Sequence, residues 1–582
     1  MRPFSFFGAL VLCRGTVAAE GNPEVVDAKN NVTYRGFNRN GVEAFLNIPY
    51  GQDTSGPNRF KPPRPFVPES GSIIDALSYG PACPQPLGNE LFPLGFTDTT
   101  EISEDCLNLN VIRPKSLCPE DRLPVLVWIY GGGFWSGQNR EITNAPDGMI
   151  LESVANGLPI IHVTMNYRLG FFGFAQSNAL EVEGSENAGL RDQRLAIEWV
   201  RDNIEYFGGD PEKITIHGQS SGGLAVGIQI MAYGGSKPVP FQQGICESQA
   251  LEPGIIANFT IDALQLVVDH VGCNTSALHS QETVACLRGL DMDTLLNASA
   301  ATHQVDIAHN IGDVWLPVVD GDFLPAPPSQ LIAEGRFANV TVMMGWCDND
   351  LTVFTDTDIS TPQDTRSFVK SYMSFVSDSD INELLSLYPS SDFPPNPAAN
   401  LSSEFYRAAR IFRDVLMVCE PVYYGAALSA KGNSVYLYDW NQTILDPILE
   451  FEGVPGLGPI HTSEFAYIFG NISHYKYGDF PFDPTPEDYS LVSRGSRSWS
   501  TFTSRGVPGL EGHDTFQGFT PSFSVGSQGN ADGTFSVFVA GGPSEGLSAT
   551  DGPNSKPEIA AQKLKERCAF INSDKIIKNL RF

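Results

Sequence analysis

The stretch ITIHGQSSGGLAV, residues 214–226, predicts a strand that turns sharply into a helix at Ser220. Apolar and polar residues alternate before the turn, and an apolar segment at residues 224–231 has the length of a buried helix. The turn reads GQSSG, a G-x-S-x-G pattern in which the glycines leave room for the crossing backbone and the serine is exposed on the bend. With 56 glycines in 582 residues, this pattern alone is weak evidence that Ser220 is a nucleophile and not a loop serine.

Strand-like and helix-like segments alternate on both sides of this turn. Residues 190–211 carry one apolar helical stripe that a Gly-Gly-Asp-Pro sequence ends. The predicted strands are residues 123–130, 158–167, 244–248, 339–347 and 434–440, of which the last is the final clear strand. Alternating strands and helices predict an α/β fold with a large, mostly parallel sheet flanked by helices. No linker separates domains, so we expect residues 20–582 to form a single domain with a surface excursion at residues 526–557.

The composition restricts the partners of the chain. The apolar fraction of 42% is sufficient for a large core, and the formal net charge is −30. Binding to nucleic acid or to an anionic membrane needs clustered Lys and Arg, so this charge argues against both partners. The cysteines form no CxxC motif and no cluster with histidine, so no metal site is expected.

The N-terminal residues 1–19 resemble a secretory signal peptide. Arg2 supplies the positive end, residues 4–13 form a short apolar run, and TVAA at residues 16–19 offers a cleavage site. The C-terminal sequence is neither an apolar anchor nor an ER-retention signal. Eight N-x-S/T sequons predict N-glycosylation, at Asn31, Asn258, Asn274, Asn297, Asn339, Asn400, Asn441 and Asn471. We therefore expect a secreted, extracellular glycoprotein without an integral membrane anchor.

A nucleophilic serine needs N–H donors that hold the oxyanion of the reacting carbonyl. The sequence YGGGFWSG, residues 130–137, follows a predicted buried strand directly. Three consecutive glycines at a strand end allow backbone N–H groups to converge without side chains in the way. We assign the oxyanion hole to the N–H groups of Gly132, Gly133 and Ser221.

The serine also needs a base and an acid that orients it. His162 and His217 lie inside predicted strands and are expected to be packing residues, whereas His461 lies on a Gly- and Pro-rich loop after the last predicted strand. Asp348 and Asp350 follow the strand at residues 339–347, at the same sheet edge as the turn at Ser220. The order serine, acid, histidine is that of hydrolases with a G-x-S-x-G turn.

Together these segments resemble the type-B carboxylesterase family, which includes secreted fungal esterases and lipases, cholinesterases and the adhesion protein neuroligin. The resemblance spans about residues 45–570. It rests on FLNIPYGQ, SEDCLNLNV, VWIYGGGFWSG, NYRLGFFGF, the segment from RDQRL to GQSSGG, and IHTSEFAYIFG.

The resemblance implies an α/β-hydrolase fold with Ser220 as nucleophile and His461 as base. Its alignment favours Asp350 as the acid where the family usually has glutamate, with Asp348 as the alternative. It implies supporting roles for Ser248 and Glu464. It also implies the disulfides Cys83–Cys106 and Cys273–Cys286, whereas the pairing of Cys118, Cys246, Cys347, Cys419 and Cys568 stays open, with at least one free thiol expected. The family usually has glutamate and alanine where Gln219 and Ser221 stand, and Gln219 weakens any preference for cationic substrates.

The expected reaction is hydrolysis of a carboxylic ester through an acyl-enzyme, with a small-molecule or lipid-like substrate and no cofactor. In cholinesterases, a tryptophan in the corresponding disulfide loop stacks on the quaternary ammonium group. The loop at residues 84–105 contains no Trp, so the resemblance disfavours choline esters. This loop is also short for a lid, which favours soluble or short-to-medium acyl esters over bulk lipid. The alternatives are a triacylglycerol lipase, a specialised natural-product esterase and, more remotely, a neuroligin-like binding protein. The sequence leaves the oligomeric state and the biological substrate open.

Overall fold

A computed structural model describes residues 21–89, 91–249, 253–310, 314–476, 482–524 and 535–582, with the backbone alone at residues 304–310. The predicted signal peptide at residues 1–19 lies outside the described residues. The strands are β1 (Glu24–Asp27), β2 (Val32–Arg35), β3 (Phe37–Arg39), β4 (Val42–Pro49), β5 (Ile73–Asp75), β6 (Asn108–Pro114), β7 (Leu123–Ile129), β8 (Ile161–Met165), β9 (Gly209–Gln219), β10 (Gln243–Glu247), β11 (Thr341–Cys347), β12 (Val435–Trp440), β13 (Ser536–Ala540) and β14 (Gly546–Ala549).

Helices connect these strands and cover the sheet. They are α1 (Asp147–Ala155), α2 (Gly170–Phe174), α3 (Asn178–Glu183), α4 (Ala188–Asn203), α5 (Ser221–Met231), α6 (Phe259–His270), α7 (Gln281–Gly289), α8 (Met292–Asn310), α9 (Pro328–Glu334), α10 (Pro362–Tyr372), α11 (Asp378–Ser386), α12 (Ser403–Arg413), α13 (Cys419–Ala430), α14 (Asp446–Phe451), α15 (Phe465–Ile468), α16 (Pro486–Arg505), α17 (Pro557–Gln562), α18 (Leu564–Ile571) and α19 (Asp574–Leu580). A π-helical turn, Asp414–Val418, joins α12 to α13.

Among the described residues, the central sheet has eleven strands in the order β14-β13-β12-β11-β10-β9-β7-β8-β6-β4-β3, and β1, β2 and β5 form a small separate sheet. The strands from β8 to β13 in this order pair in parallel, whereas the strands at both ends pair antiparallel. The predicted mostly parallel sheet is therefore confirmed, and the five predicted strands correspond to β7, β8, β10, β11 and β12.

Burial on both faces explains the apolar sequences of the central strands. Every residue of β12 is buried, and so are the last five residues of β7. The predicted stripe on α4 faces this core, with Ala196 and Val200 fully buried. Helix α5 is buried along its whole length, which matches its apolar composition. One hydrophobic cluster extends from Val25 to Phe582 across both faces of the sheet, as a single domain requires.

The prediction of a surface excursion at residues 526–557 is wrong for the residues of β13 and β14. These two strands extend the central sheet beyond β12. Strand β13 pairs with β12, and its Val537, Phe538 and Val539 are buried. Its five-residue run lies between Gly- and Ser-rich segments, and this composition hid the strand signal. Residues 525–534 lie outside the described residues.

The structure contains both predicted disulfides, Cys83–Cys106 and Cys273–Cys286. It adds Cys419–Cys568, which joins α13 to α18 across 149 residues and which the sequence analysis left open. Within the described part of the chain, Cys246 and Cys347 are buried and form no disulfide. None of the described helices has the length and apolarity needed to span a membrane.

Candidate active site

Ser220 lies on a strained turn between β9 and α5. Its backbone has φ 60° and ψ −129°, a conformation that is costly for a residue with a side chain. The two flanking glycines are sterically required: a Cβ on Gly218 would lie 2.3 Å from the carbonyl oxygen of Gly222, and a Cβ on Gly222 would lie 2.2 Å from that of Ile129. The predicted strand-turn-helix is thus present, with Ser220 at its apex.

The glycine loop after β7 packs directly against this turn. A Cβ on Gly131 would lie 2.8 Å from the Cβ of Ser220. Gly132 and Gly133 have φ of 105° and 62°, and within the described part of the chain their N–H groups donate to no protein acceptor. The N–H of Ser221 is the first of α5 and therefore has no intrahelical acceptor. The three predicted oxyanion donors therefore belong to two segments that meet at Ser220.

Asp350 and His461 form a buried pair beside this turn. The Nδ1 of His461 lies 2.5 Å from Oδ1 of Asp350, and the backbone N–H of His461 donates to the Asp350 carbonyl oxygen at 3.0 Å. The other carboxylate oxygen, Oδ2, accepts from the Ser248 hydroxyl at 2.7 Å and from the N–H of Cys347 at 2.9 Å. Asp350 is fully buried, and these donors fix its orientation towards the imidazole.

Asp348 faces away from the imidazole. Its Oδ1 lies 3.4 Å from both Arg410 and Arg413, and it accepts from the Gln562 amide at 3.1 Å. Of the two candidate acids that the sequence analysis kept, the structure therefore brings Asp350 to His461.

Gln219 contacts both ring nitrogens of His461. Its side-chain Nε2 lies 3.0 Å from Nε2 and 3.3 Å from Nδ1 of His461, and Gln219 is buried. Among the described residues, no hydrogen bond joins the Ser220 hydroxyl to His461. The sequence analysis considered only the charge that Gln219 removes, and it missed this contact.

Buried acidic groups, Glu464 and the thiol of Cys347, lie next to the Asp350–His461 pair. Burial, with smaller contributions from Glu247 and Asp350, raises the pKa of Glu464 to about 8. The Cys347 thiol donates to Oε2 of Glu464 at 3.0 Å, and burial raises the pKa of this thiol well above its ordinary value. This shift favours the uncharged form of Glu464 near neutral pH, and Cys347 is a partner that the sequence analysis did not assign.

His162 and His217 are fully buried within β8 and β9, as expected for packing residues. Burial lowers the pKa of His162 to about 3 and holds the pKa of His217 well below its ordinary value. Both imidazoles are therefore neutral near pH 7, and Nε2 of His217 lies 2.8 Å from Oε1 of the buried Glu247. Across the described residues, no group of three or more His, Cys, Asp or Glu side chains is arranged to hold a metal ion.

A cavity of about 540 Å³ opens onto Ser220 and His461, a size typical of small-molecule sites. Its wall is mainly apolar, and the π-helical turn contributes Leu416 and Met417 to it. Trp135 stacks on His303 at 4.3 Å in the same wall. The loop closed by the Cys83–Cys106 disulfide, here called the disulfide loop, also lines the cavity, as expected for a lid. It contributes Leu91, Phe92 and Leu94.

Comparisons with known proteins agree with this site and fold. A family model described as the carboxylesterase family matches residues 24–526. A secreted lipase of Arthroderma benhamiae is 52% identical over 582 residues, which cover 100% of both chains. An inactive carboxylesterase-like protein of Byssochlamys spectabilis is 34% identical over 98% of this chain and 97% of its own. Lipase 4 of Diutina rugosa is 34% identical over 76% of this chain and 83% of its own.

Solved structures share the fold. EstA of Aspergillus niger superposes with a TM-score of 0.75 at 24% identity, covering 94% of this chain and 99% of that one. A thermophilic pNB esterase superposes with a TM-score of 0.73 at 24% identity, covering 94% and 100%. The expected α/β-hydrolase architecture is thereby confirmed.

Proposed function

The chain belongs to the carboxylesterase family, and from this premise we propose that it is a secreted carboxylic ester hydrolase with Ser220 as its nucleophile. One observation carries the proposal above the others. Ser220, on its strained turn, lines one mainly apolar cavity together with His461, which is paired with Asp350, and with Gly132 and Gly133, whose N–H groups have no acceptor among the described residues. A binding protein has no need for these groups to converge.

The arrangement supports an acyl-enzyme mechanism. His461 takes the Ser220 proton through Nε2 as the serine oxygen attacks the ester carbonyl, while Asp350 keeps the Nδ1–H oriented. The N–H groups of Gly132, Gly133 and Ser221 hold the oxyanion. His461 then gives its proton to the departing alcohol and activates a water that releases the acid from Ser220.

The cavity supports a neutral, apolar ester as substrate. Its wall presents mainly aliphatic and aromatic side chains, and Gln219 places an uncharged group beside the catalytic base. The disulfide loop has no Trp on which a quaternary ammonium group would stack. We propose short-to-medium acyl esters as the preferred class. Triacylglycerols are the second candidate, because two of the relatives described above are named lipases.

Secretion and glycosylation belong to the same proposal. The relative at 52% identity is named a secreted lipase, and residues 1–19 have the pattern of a signal peptide. Six of the eight sequon asparagines are exposed, namely Asn31, Asn258, Asn274, Asn297, Asn339 and Asn400. Asn441 and Asn471 are half-buried, so we expect glycans mainly at the other six.

The test compares hydrolysis of p-nitrophenyl esters from acetyl to palmitoyl by the secreted protein and by Ser220→Ala. We expect turnover that falls with long acyl chains and that the substitution abolishes. Ser371→Ala, at an exposed serine of α10, is the matched control. A rate that peaks at long chains and increases at an oil–water interface would move the assignment to the lipases. Absence of any Ser220-dependent turnover would contradict the proposal and favour a binding role.

A further inference from the structure

The disulfide loop, which has the place of a lid, is hydrogen-bonded to the glycine loop and to the residues that follow it. At one end, the Gln85 carboxamide accepts from the N–H of Gly137 at 2.8 Å and donates to the carbonyl oxygen of Gly137 at 2.7 Å. Farther along, Arg140 donates to the carbonyl oxygen of Asp98 at 2.9 Å and to the Thr100 hydroxyl at 2.8 Å. Because the glycine loop is itself fixed by its packing on the nucleophile turn, the disulfide loop is attached to a rigid part of the site.

Glu141 is the centre of this attachment. Its two carboxylate oxygens accept from two successive backbone N–H groups of the disulfide loop, those of Phe96 and Thr97, each at 3.0 Å. The Thr97 hydroxyl accepts in return from the N–H of Ile142 at 2.9 Å, and the Thr97 carbonyl oxygen accepts from the Gln138 amide at 3.1 Å. Hydrogen bonds from backbone N–H groups to a carboxylate are stronger than those between neutral groups. An amide at position 141 has a single acceptor oxygen and cannot bind both N–H groups in this way.

The inner face of the disulfide loop packs against the rest of the protein. Phe96 meets Tyr475 edge to face, with 5.3 Å between the ring centroids, and Tyr475 is buried. Leu91, Phe92 and Leu94 are partly buried against the main hydrophobic core and line the cavity. Lifting the loop as a mobile lid would therefore break the hydrogen bonds of the attachment and expose these apolar side chains to water at the same time.

We propose that Glu141 anchors the disulfide loop as a fixed wall of the substrate cavity, so that access to Ser220 does not depend on an oil–water interface. The proposal rests on the proposed function, since it concerns the same cavity, and it narrows the substrate class to esters that enter as single dissolved molecules. Glu141 acts through the loop and not on the reacting atoms, so it is a positioning residue.

The first measurement is amide hydrogen exchange of the full chain, followed on peptides that contain Phe96 and Thr97. The variants are Glu141→Gln, which keeps the shape and loses one acceptor, and Thr97→Val, which removes the hydroxyl that accepts from Ile142. We expect slow exchange in wild type, exchange about tenfold faster in Glu141→Gln, and a smaller increase in Thr97→Val. Glu101→Gln, at an exposed glutamate of the same loop, is the matched control and should exchange as wild type does.

The second measurement is hydrolysis of tributyrin across its solubility limit, together with kcat and KM for dissolved p-nitrophenyl butyrate. We expect the wild-type rate to pass the solubility limit without a step. In Glu141→Gln we expect KM to rise about threefold with kcat nearly unchanged, because the loop forms a binding wall and takes no part in the chemistry. Glu101→Gln should keep both constants.

A step in the wild-type rate at the solubility limit would overturn the proposal, because it would show that an interface opens the loop. Exchange in Glu141→Gln that matches wild type and Glu101→Gln would overturn it as well. If Glu141→Gln does not fold, unchanged exchange in Thr97→Val has the same meaning. A wild type without Ser220-dependent turnover would overturn the proposed function and with it the substrate class, while the exchange data still decide whether Glu141 anchors the loop.

Discussion

The two sides of the candidate site are held together by different forces. The serine side, formed by the turn at Ser220 and the glycine loop, is backbone packed on backbone, with no room for a Cβ at Gly218, Gly222 or Gly131. The histidine side is a set of side-chain hydrogen bonds that joins Asp350 to His461 across 111 residues. Steric exclusion fixes the first side and allows few substitutions. Hydrogen bonding fixes the second, which accepts different side chains provided that the donors and acceptors match.

The largest expected effect on activity comes from disrupting the hydrogen bond between Asp350 and His461 on the histidine side. Asp350→Asn removes the carboxylate that orients Nδ1–H, so we expect kcat to fall by about 10⁴-fold, as for the corresponding change in a serine protease triad. Steady-state kinetics with p-nitrophenyl butyrate measure it. Asp348→Asn is the matched control two residues away, since Asp348 pairs with Arg410 and Arg413 and not with the base. It should lower stability and leave kcat within a few-fold, and an equal loss of kcat in both variants would contradict the assignment of Asp350.

The serine side should respond to the smallest possible side chain. Gly222→Ala places a Cβ 2.2 Å from the carbonyl oxygen of Ile129, so the backbone around Ser220 has to move. We expect a loss of kcat of about 10²-fold and a loss of stability of about 1–3 kcal/mol, measured by kinetics and by denaturant unfolding. Gly289→Ala, at a helical glycine with no heavy atom within 4 Å of the added Cβ, should leave kcat unchanged and raise stability by about 0.4–1 kcal/mol, because alanine favours the helix. Full activity in Gly222→Ala would show that the turn is not held by steric exclusion.

The same difference explains what the sequence predicts. The serine side can be recognised from short segments, because a position that is sterically restricted to glycine shows a glycine in the sequence. Both the turn at Ser220 and the glycine loop were therefore predicted with their residues. The acid is predicted less sharply: the resemblance favours Asp350, but Asp348 stays an alternative because both follow the end of β11. Only the turn in which the N–H of Asp350 bonds the carbonyl of Cys347 decides which carboxylate faces His461.

Contacts between segments that are distant in the sequence have no local sequence pattern that would predict them. The Gln219–His461 contact spans 242 residues, and the Cys347–Glu464 hydrogen bond spans 117. The Cys419–Cys568 disulfide and the stack of Trp135 on His303 likewise depend on how helices pack, which a periodic pattern does not encode. Strand β13 was missed for a different reason, because five apolar residues between Gly- and Ser-rich segments are too few to give a clear signal.

The smallest expected effect on activity concerns the buried acid behind the histidine side. The pKa of Glu464 is raised from 4.5 to about 8 in the folded protein, so the folded chain keeps a proton that the unfolded chain releases. The stability that this proton supplies is fully present below about pH 4.5 and is lost as the pH rises to about 8. Glu464→Gln fixes the uncharged form, and we expect its kcat to stay within about threefold of wild type near pH 7.

The dependence of stability on pH then tests whether Glu464 stabilises the histidine side in its uncharged form. Relative to wild type, Glu464→Gln should gain about 3–4 kcal/mol in the free energy of unfolding between pH 5 and pH 8, measured by urea unfolding at each pH. Cys347→Ser is the matched control, because it keeps both the carboxyl group and a donor to it and should lose stability in parallel with wild type. If the free energy of unfolding of Glu464→Gln has the same pH dependence as that of wild type, then the pKa of Glu464 is not raised in the folded protein. The support behind Asp350 would in that case rest on Ser248 and the backbone of Cys347, the two donors that bind Oδ2 directly.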